Sequence, residues 1–140
     1  RYTDLFRNYN QKEVVEHCLT LLEYVGLKDY AHIQAKHLPL GMQRRLEVGR
    51  ALALAPSLLL LDEPTANIDP VNARKLENAI VSLKDEVTVV MVTHSPYQAA
   101  RVADYVAVLY DGMVVEQGSA QQLFLRPSTD IAQKLLRGEM

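Results

Sequence analysis

Three short apolar segments alternate with longer amphipathic ones in the second part of the chain. The apolar segments are SLLLL (57–61), VTVVMV (87–92) and YVAVLY (105–110), and each is too short to form a helix of its own. Helical patterns lie between them, at 71–85 and 96–103. The alternation predicts an α/β fold with a parallel sheet and crossover helices, and it makes the three apolar segments buried strands of that sheet.

The first part of the chain has a different pattern. Apolar side chains recur at helical spacing in residues 11–25, and the predicted buried stripe consists of Val14, Cys18, Leu21, Leu22 and Val25. Gly26 is expected to end this helix. A second helix is predicted from Gly41 or Met42 to Ala55, and Pro56 ends it. The change of pattern near residue 56 separates a helical part, 1–55, from an α/β part, 56–140.

The last part of the chain contains signals for a hairpin and two short helices. Asp111 and Gly112 stand between two strand-like segments, and this residue pair is typical of a tight hairpin turn. Pro127 separates two helical patterns within residues 120–140.

Length and composition set limits on the class of protein. With 140 residues, of which 49% are apolar, the chain is long enough to build one core. A net charge of -2 gives no reason to expect binding to nucleic acid, and a single cysteine excludes an internal disulfide and favours a reducing cytoplasm. No apolar segment reaches the about 20 residues that span a bilayer, so membrane contact is expected through a partner. The chain opens on Arg1 without a secretory signal, and we expect it to be a piece of a longer protein.

Two adjacent carboxylates, Asp62 and Glu63, follow the first apolar strand. In open α/β sheets the ligand lies outside the carboxyl ends of the strands, so this position favours chemistry. One carboxylate can support a magnesium ion while the other reaches a water, as in nucleotide hydrolases. The alternative is that the pair, followed by Pro64, only begins a turn.

His94 follows the second strand, 31 positions after Glu63. If the two strands are neighbours, His94 and Glu63 face one cleft.

The motifs LPLGMQRRLEVGRALALAP, LLLLDEPTANID and VTHS, in this order and spacing, resemble the second half of the ATP-binding cassette (ABC) ATPases over essentially the whole chain. The resemblance implies that Leu58–Asp62 is the Walker B strand, with Asp62 as the carboxylate that supports magnesium. It implies that Glu63 is the general base for the attacking water and that His94 is the switch histidine at the γ-phosphate. Asp69 then takes the terminal acidic position of the D-loop.

The stretch LPLGM (38–42) stands where the family has its Leu-Ser-Gly-Gly-Gln signature. Leu38 and Gly41 match, whereas Pro39 replaces the serine, Leu40 the first glycine and Met42 the glutamine. Proline offers neither a hydroxyl nor a backbone donor to the γ-phosphate held by an opposing subunit, and Leu40 adds bulk. The amino-terminal N–H groups of the following helix still present a positive end to an anion. We expect this signature to bind phosphate more weakly.

The segment QRRLEVGRAL is typical of the same family. Its three arginines, Arg44, Arg45 and Arg50, are interpreted as solvated residues or as partners in salt bridges between subunits.

The Gly-rich phosphate-binding loop that the family carries upstream of this region does not occur in the 140 residues. The resemblance therefore implies a partial P-loop NTPase (RecA-like) core: 1–55 as part of the helical subdomain with the signature, and 56–140 as the carboxyl-terminal part of the nucleotide-binding core. ATP and Mg²⁺ are the implied cofactors. The chain alone is expected neither to bind ATP tightly nor to hydrolyse it, because it lacks the phosphate cradle.

The leading hypothesis is an ABC transporter ATPase subunit at the cytoplasmic face of the cell membrane, bound there through transmembrane permease subunits. Its second partner would be another nucleotide-binding domain, in a homodimer or heterodimer, and no nucleic acid is expected. Two alternatives are a soluble ABC ATPase that acts on DNA or the ribosome, and a non-catalytic dimerisation or docking module. Within transporters, the signature region resembles importers of branched-chain amino acids, whereas the tail VEQGSAQQLFLRPSTDIAQKLL resembles oxyanion or methionine importers.

Overall fold

The structure is a computed structural model that describes residues 11–139. The predicted helical part, 1–55, begins in residues outside that range. The chain divides into two compact units. One consists of the described residues up to Leu60 together with Thr65–Val90, and the other of Leu61–Pro64 together with the described residues from Met91 onward. The boundary thus falls inside each of the first two strands.

Two helices open the first unit. Helix α1, Gln11–Tyr24, ends at Gly26, whose φ of 66° lies in the left-handed region that glycine adopts without strain. Two short 3₁₀ turns, Lys28–Tyr30 and Ala35–His37, lead to helix α2, Leu40–Leu52. Both predicted helices are present, but the predicted end of the second at Ala55 is wrong, because α2 ends at Leu52 and Ala55 has a φ of 47°. Of the predicted buried stripe, Val25 is buried and Val14, Leu21 and Leu22 are half-buried, but Cys18 is exposed, so the prediction is wrong for Cys18.

Strand β1, Leu58–Asp62, helix α3, Pro70–Leu83, and strand β2, Thr88–Val92, form a crossover unit. The N–H of Thr88 donates to the carbonyl of Ser57 at 3.2 Å, and the N–H of Glu63 donates to that of Val92 at 3.0 Å. Since the two beginnings pair and the two ends pair, the strands run parallel. Their carboxyl ends therefore lie at one edge of the sheet, as the sequence predicts.

Burial in β1 alternates, with Leu59 and Leu61 inside and Leu58 and Leu60 exposed by 55% and 67%. Strand β2 also leaves Val90 exposed. The prediction that these strands are buried on both faces is wrong for the described residues, because only alternate side chains have packing partners there.

The second unit contains helix α4, Pro96–Val102, and strands β3, Tyr105–Tyr110, and β4, Met113–Ser119. Strand β3 pairs antiparallel with β4 around the predicted Asp111-Gly112 turn, whose φ values of 48° and 74° fit a tight hairpin. Within the described residues these two strands form their own sheet, separate from β1 and β2. The expectation that YVAVLY (105–110) joins the parallel sheet is therefore wrong, because its backbone groups bond to the hairpin partner.

Helices α5, Ala120–Leu125, and α6, Asp130–Arg137, close the chain on either side of Pro127, as predicted. Val108, Leu123 and Ala132 form the buried centre of this unit, and α6 ends at Gly138 with a φ of 71°. No helix within residues 11–139 has the length and apolar character needed to cross a membrane.

Candidate functional site

The carboxyl end of β1 presents two acidic residues to different surroundings. Asp62, the last residue of the strand, is exposed. Glu63 follows with a φ of 44°, in the left-handed region that residues other than glycine and asparagine rarely adopt. Its backbone N–H donates a hydrogen bond to the Val92 carbonyl. Such a conformation costs about 1–2 kcal/mol, so surrounding structure has to stabilise it. The strand thus ends at Asp62, and Glu63 begins the turn that follows it.

The carboxyl end of β2 is fixed by two hydroxyl groups. Thr93 accepts a hydrogen bond at Oγ1 from the N–H of Ser95 at 3.1 Å. Ser95 is the N-cap of α4, and its Oγ accepts from the N–H of Gln98 at 3.3 Å. His94 lies between these two residues, so the backbone that carries it is anchored on both sides.

Glu63 and His94 come together, as the sequence predicts. His94 Nε2 lies 3.4 Å from Glu63 Oε1, beyond the about 2.7–3.2 Å of an ordinary N–H···O hydrogen bond. The imidazole is 93% exposed, whereas the Glu63 side chain is 30% exposed. Glu63 Oε1 itself is buried and accepts no hydrogen bond from residues 11–139. A buried acceptor without a donor, beside an open imidazole, is suited to receive a proton or a water from a ligand.

Within the described residues no group of three His, Cys, Asp or Glu side chains forms a metal cage. Asp62 offers a single carboxylate next to Glu63. This donor set fits magnesium, which prefers oxygen ligands and usually keeps waters and substrate phosphates in its shell rather than an all-protein cage.

Asp69 is the N-cap of α3. Its Oδ1 accepts from the N–H groups of Val71 and Asn72, each at 3.0 Å, and its Oδ2 accepts from Asn72 Nδ2 at 2.7 Å. The side-chain hydrogen bond from Asn72 is the main reason that the pKa of Asp69 is lowered, and the backbone N–H groups act in the same direction. The segment before it bends at Asn67, with a φ of 61°.

The signature-like segment begins α2. Pro39 is the N-cap and supplies no side-chain acceptor, so no side chain caps this helix. Leu40 is 48% exposed, Gly41 is buried and Met42 is half-buried. A Cβ on Gly41 would come within 2.6 Å of Asn72 Cβ. The structure therefore brings the start of α2 against the first turn of α3, which Asp69 caps.

Sequence reasoning missed the burial of Arg45. Arg45 is only 2% exposed, so its interpretation as a solvated or intersubunit residue is wrong. Burial lowers the pKa of the Arg45 guanidinium, and the Asp69 carboxylate acts in the opposite direction. The helical phase carries the missing signal, because Arg45 follows Gly41 by one turn on the buried stripe. Arg44 faces outward and pairs with Glu47 at 2.9 Å, and Arg50 is exposed.

A family model described as ABC transporter matches residues 2–66. The phosphate import ATP-binding protein PstB of Saccharolobus solfataricus is 45% identical over 133 residues, which are 92% of this chain and 51% of that protein. The protein of the same name from Thermococcus kodakarensis is 47% identical over 81% of this chain and 45% of its own length. This chain belongs to the ABC transporter ATPase family.

The chain spans about half the length of the curated ABC relatives that it matches. Solved ABC cassettes support the fold. The ADP conformation of an ATP-binding cassette of an ABC transporter aligns with a TM-score of 0.76 at 23% identity, over 96% of this chain and 55% of that one. A cassette from the cbiONQ complex of Clostridium perfringens aligns with a TM-score of 0.79 at 24% identity, over 97% and 55%. The fold is therefore that of the P-loop NTPase cassettes.

Proposed function

We propose that the complete protein is the ATP-binding and ATP-hydrolysing subunit of an ABC importer that moves phosphate. The observation that carries the proposal is Glu63, whose buried Oε1 has no donor among the described residues while His94 stands 3.4 Å away. A purely structural carboxylate at this position would be expected to use its oxygens in hydrogen bonds. This arrangement argues against the non-catalytic docking alternative.

The site residues divide the chemistry between them. Glu63 orients the attacking water and takes up its proton at a carboxylate oxygen, and its position behind β1 limits the directions from which the water approaches. His94 donates from its exposed imidazole to the γ-phosphate and thereby stabilises the charge that develops there. Asp62 would hold the magnesium ion, directly or through a water, and the ion would supply neutralisation of phosphate charge.

The first compact unit, which contains the start of α2 and Asp69, has a second nucleotide-binding domain as its proposed partner. Proline at the N-cap leaves the first N–H groups of α2 without a side-chain acceptor, so they stay available to an anion from that partner. Pro39, Leu40, Gly41 and Met42 would form this contact, and Asp69 would lie in the loop beside it. The missing serine hydroxyl makes the contact weaker than in cassettes with the usual signature.

The transported solute is inferred from the relatives, which are named as phosphate import proteins. Their names favour the oxyanion interpretation of the tail over the amino-acid interpretation of the signature region, and transport over action on DNA or the ribosome. Permease subunits would hold the protein at the cytoplasmic face of the membrane.

The test is Glu63→Gln in the complete protein, reconstituted with its permease. Loss of the base is expected to slow ATP turnover by about 10²–10⁴-fold while nucleotide binding persists, because the amide keeps the shape but cannot take a proton. Uptake of labelled phosphate should fall in parallel, and uptake of labelled leucine should be absent throughout. Glu13→Gln, an exposed change in α1, is the control and should leave both rates unchanged.

Unchanged turnover in Glu63→Gln would remove Glu63 as the base. If ATP hydrolysis depended on leucine rather than on phosphate, phosphate would be wrong as the proposed solute.

A further inference from the structure

Arg45 and Asp69 lie on different elements of the first compact unit and are joined through one side chain. The Arg45 guanidinium donates to the carbonyls of Val25 at 3.0 Å and Gly26 at 3.1 Å, and to Asn72 Oδ1 at 3.2 Å. Asn72 Nδ2 donates in turn to Asp69 Oδ2 at 2.7 Å. A continuous chain of hydrogen bonds therefore runs from the end of α1 through α2 to the loop after β1.

The chemistry of this chain singles out the amide at position 72. A guanidinium is only a donor and an ionised carboxylate is only an acceptor, so a bridge between them needs an acceptor at one end and a donor at the other. The carboxamide of Asn72 provides both. Aspartate in its place would keep the acceptor for Arg45 and confront Asp69 with a second negative charge.

Backbone packing holds the same residues in place. Gly41 leaves no room for a side chain, since an added Cβ would stand 2.6 Å from Asn72 Cβ and 2.8 Å from its Cγ. Gly26 has a φ of 66°, and an added Cβ there would stand 3.0 Å from the Arg45 guanidinium. The start of α2 therefore packs directly against the start of α3 at the Asn72 side chain.

We propose that Asn72 is a positioning residue that couples the signature-like segment, Pro39–Met42, to Asp69, so that both are presented to the partner domain as one rigid element. The proposal rests on the proposed function, because both segments are taken there to face the second nucleotide-binding domain. No contact with the nucleotide is assigned to Asn72 in this proposal. Asn72 acts by fixing the start of α2 relative to the Asp69 carboxylate.

The test uses the complete protein with Asn72→Ala and Asn72→Asp, and Asn78→Asp as the matched control on the exposed side of α3. The first measurement is amide hydrogen exchange. Loss of the bridge should speed exchange by about tenfold or more both at Val71, whose N–H donates to Asp69, and at Met42 and Gln43 in the first turn of α2. Faster exchange at Val71 alone would make Asn72 a local helix cap and overturn the coupling.

The second measurement is steady-state ATP hydrolysis. Asn72→Asp keeps its bond to Arg45 and is expected to retain the melting temperature within a few degrees, yet to lower kcat by about tenfold with little change in the nucleotide Kd of the complete protein. Asn78→Asp should change neither quantity. Faster exchange in both segments with an unchanged kcat would overturn the positioning role.

Two different measurements test the proposed function and the role of Asn72. If the wild-type protein hydrolyses no ATP, the proposed function falls, and the exchange experiment still reports whether Asn72 couples the two segments.

Discussion

Two glutamates of the same compact unit, Glu63 and Glu116, differ in the hydrogen bonds that their carboxylate oxygens accept. Glu116 accepts hydrogen bonds from the N–H groups of Ser128 and Thr129, at 2.8 and 2.9 Å, and from the Thr129 hydroxyl at 3.0 Å. Glu63 has a buried oxygen without a donor among the described residues, and a backbone φ of 44°. Three donors make Glu116 part of the fold, whereas the unsatisfied acceptor of Glu63 is a cost that folding alone does not explain.

A similar contrast separates two basic residues, Arg45 in the first compact unit and His94 in the second. Arg45 is buried and donates from Nη1 and Nη2 to three oxygens, although its Nε has no acceptor among the described residues, while the His94 imidazole is 93% exposed. Satisfied groups should therefore affect stability when they are removed, and unsatisfied groups should affect turnover.

The largest stability effect is expected for Arg45→Met. The substitution preserves an unbranched apolar stem but leaves the carbonyls of Val25 and Gly26 and the amide of Asn72 without their donor. We expect a loss of about 3 kcal/mol in the free energy of unfolding. Denaturant unfolding of the complete protein measures it.

Arg44→Met is the matched control, because Arg44 is the adjacent residue, its side chain is 41% exposed and its ion pair with Glu47 lies at the surface. It should cost less than about 1 kcal/mol. Equal losses in the two variants would contradict the division between satisfied and exposed groups.

A smaller effect, and one on activity rather than stability, is expected for His94→Gln. The imidazole is exposed and its distance to Glu63 is long, so its removal should leave the melting temperature unchanged. Turnover of ATP should fall by about 10–100-fold, because the flexible glutamine amide does not hold its N–H where the imidazole Nε2 lies and so positions the donor at the γ-phosphate poorly. Rapid-quench or coupled-enzyme assays give the rate, and His17→Gln on α1 is the control. A destabilised variant with normal turnover would reverse the assignment.

The smallest effect is expected for Glu116→Gln, and it depends on pH. Hydrogen bonds from Ser128 and Thr129 lower the pKa of Glu116. A carboxyl group whose pKa is lower in the folded state stabilises the fold above its ordinary pKa of about 4.3, and this contribution is lost as the pH falls through the lowered value. The wild type should therefore lose its advantage over Glu116→Gln in melting temperature on acidification from neutral pH.

Glu13→Gln is the control for that comparison. A difference between wild type and Glu116→Gln that grows as the pH falls would contradict the stated role of the carboxylate.

Local patterns predicted the elements well, because Gly26, Pro56 and the Asp111-Gly112 pair each restrict the backbone within a few residues. The edge shared by Glu63 and His94 was also predictable, since parallel strands have their carboxyl ends on the same side. The roles of Arg45 and Asn72 were not, because their bond joins residues 27 positions apart and only three-dimensional packing brings them together. The pairing of β3 with β4 was predictable from the Asp111-Gly112 turn, whereas the separation of β3 from the β1–β2 sheet within the described residues was not, because strands of similar composition give no signal for their neighbours.

The exposed leucines of β1 have a practical consequence for work with the chain. Leu58 and Leu60 are 55% and 67% exposed on a strand, and the neighbouring strand leaves Val90 uncovered as well. An apolar sheet surface without a cover is a template for contacts between molecules. Preparations of the isolated 140 residues are therefore expected to precipitate or form soluble aggregates at concentrations at which the complete protein stays dispersed.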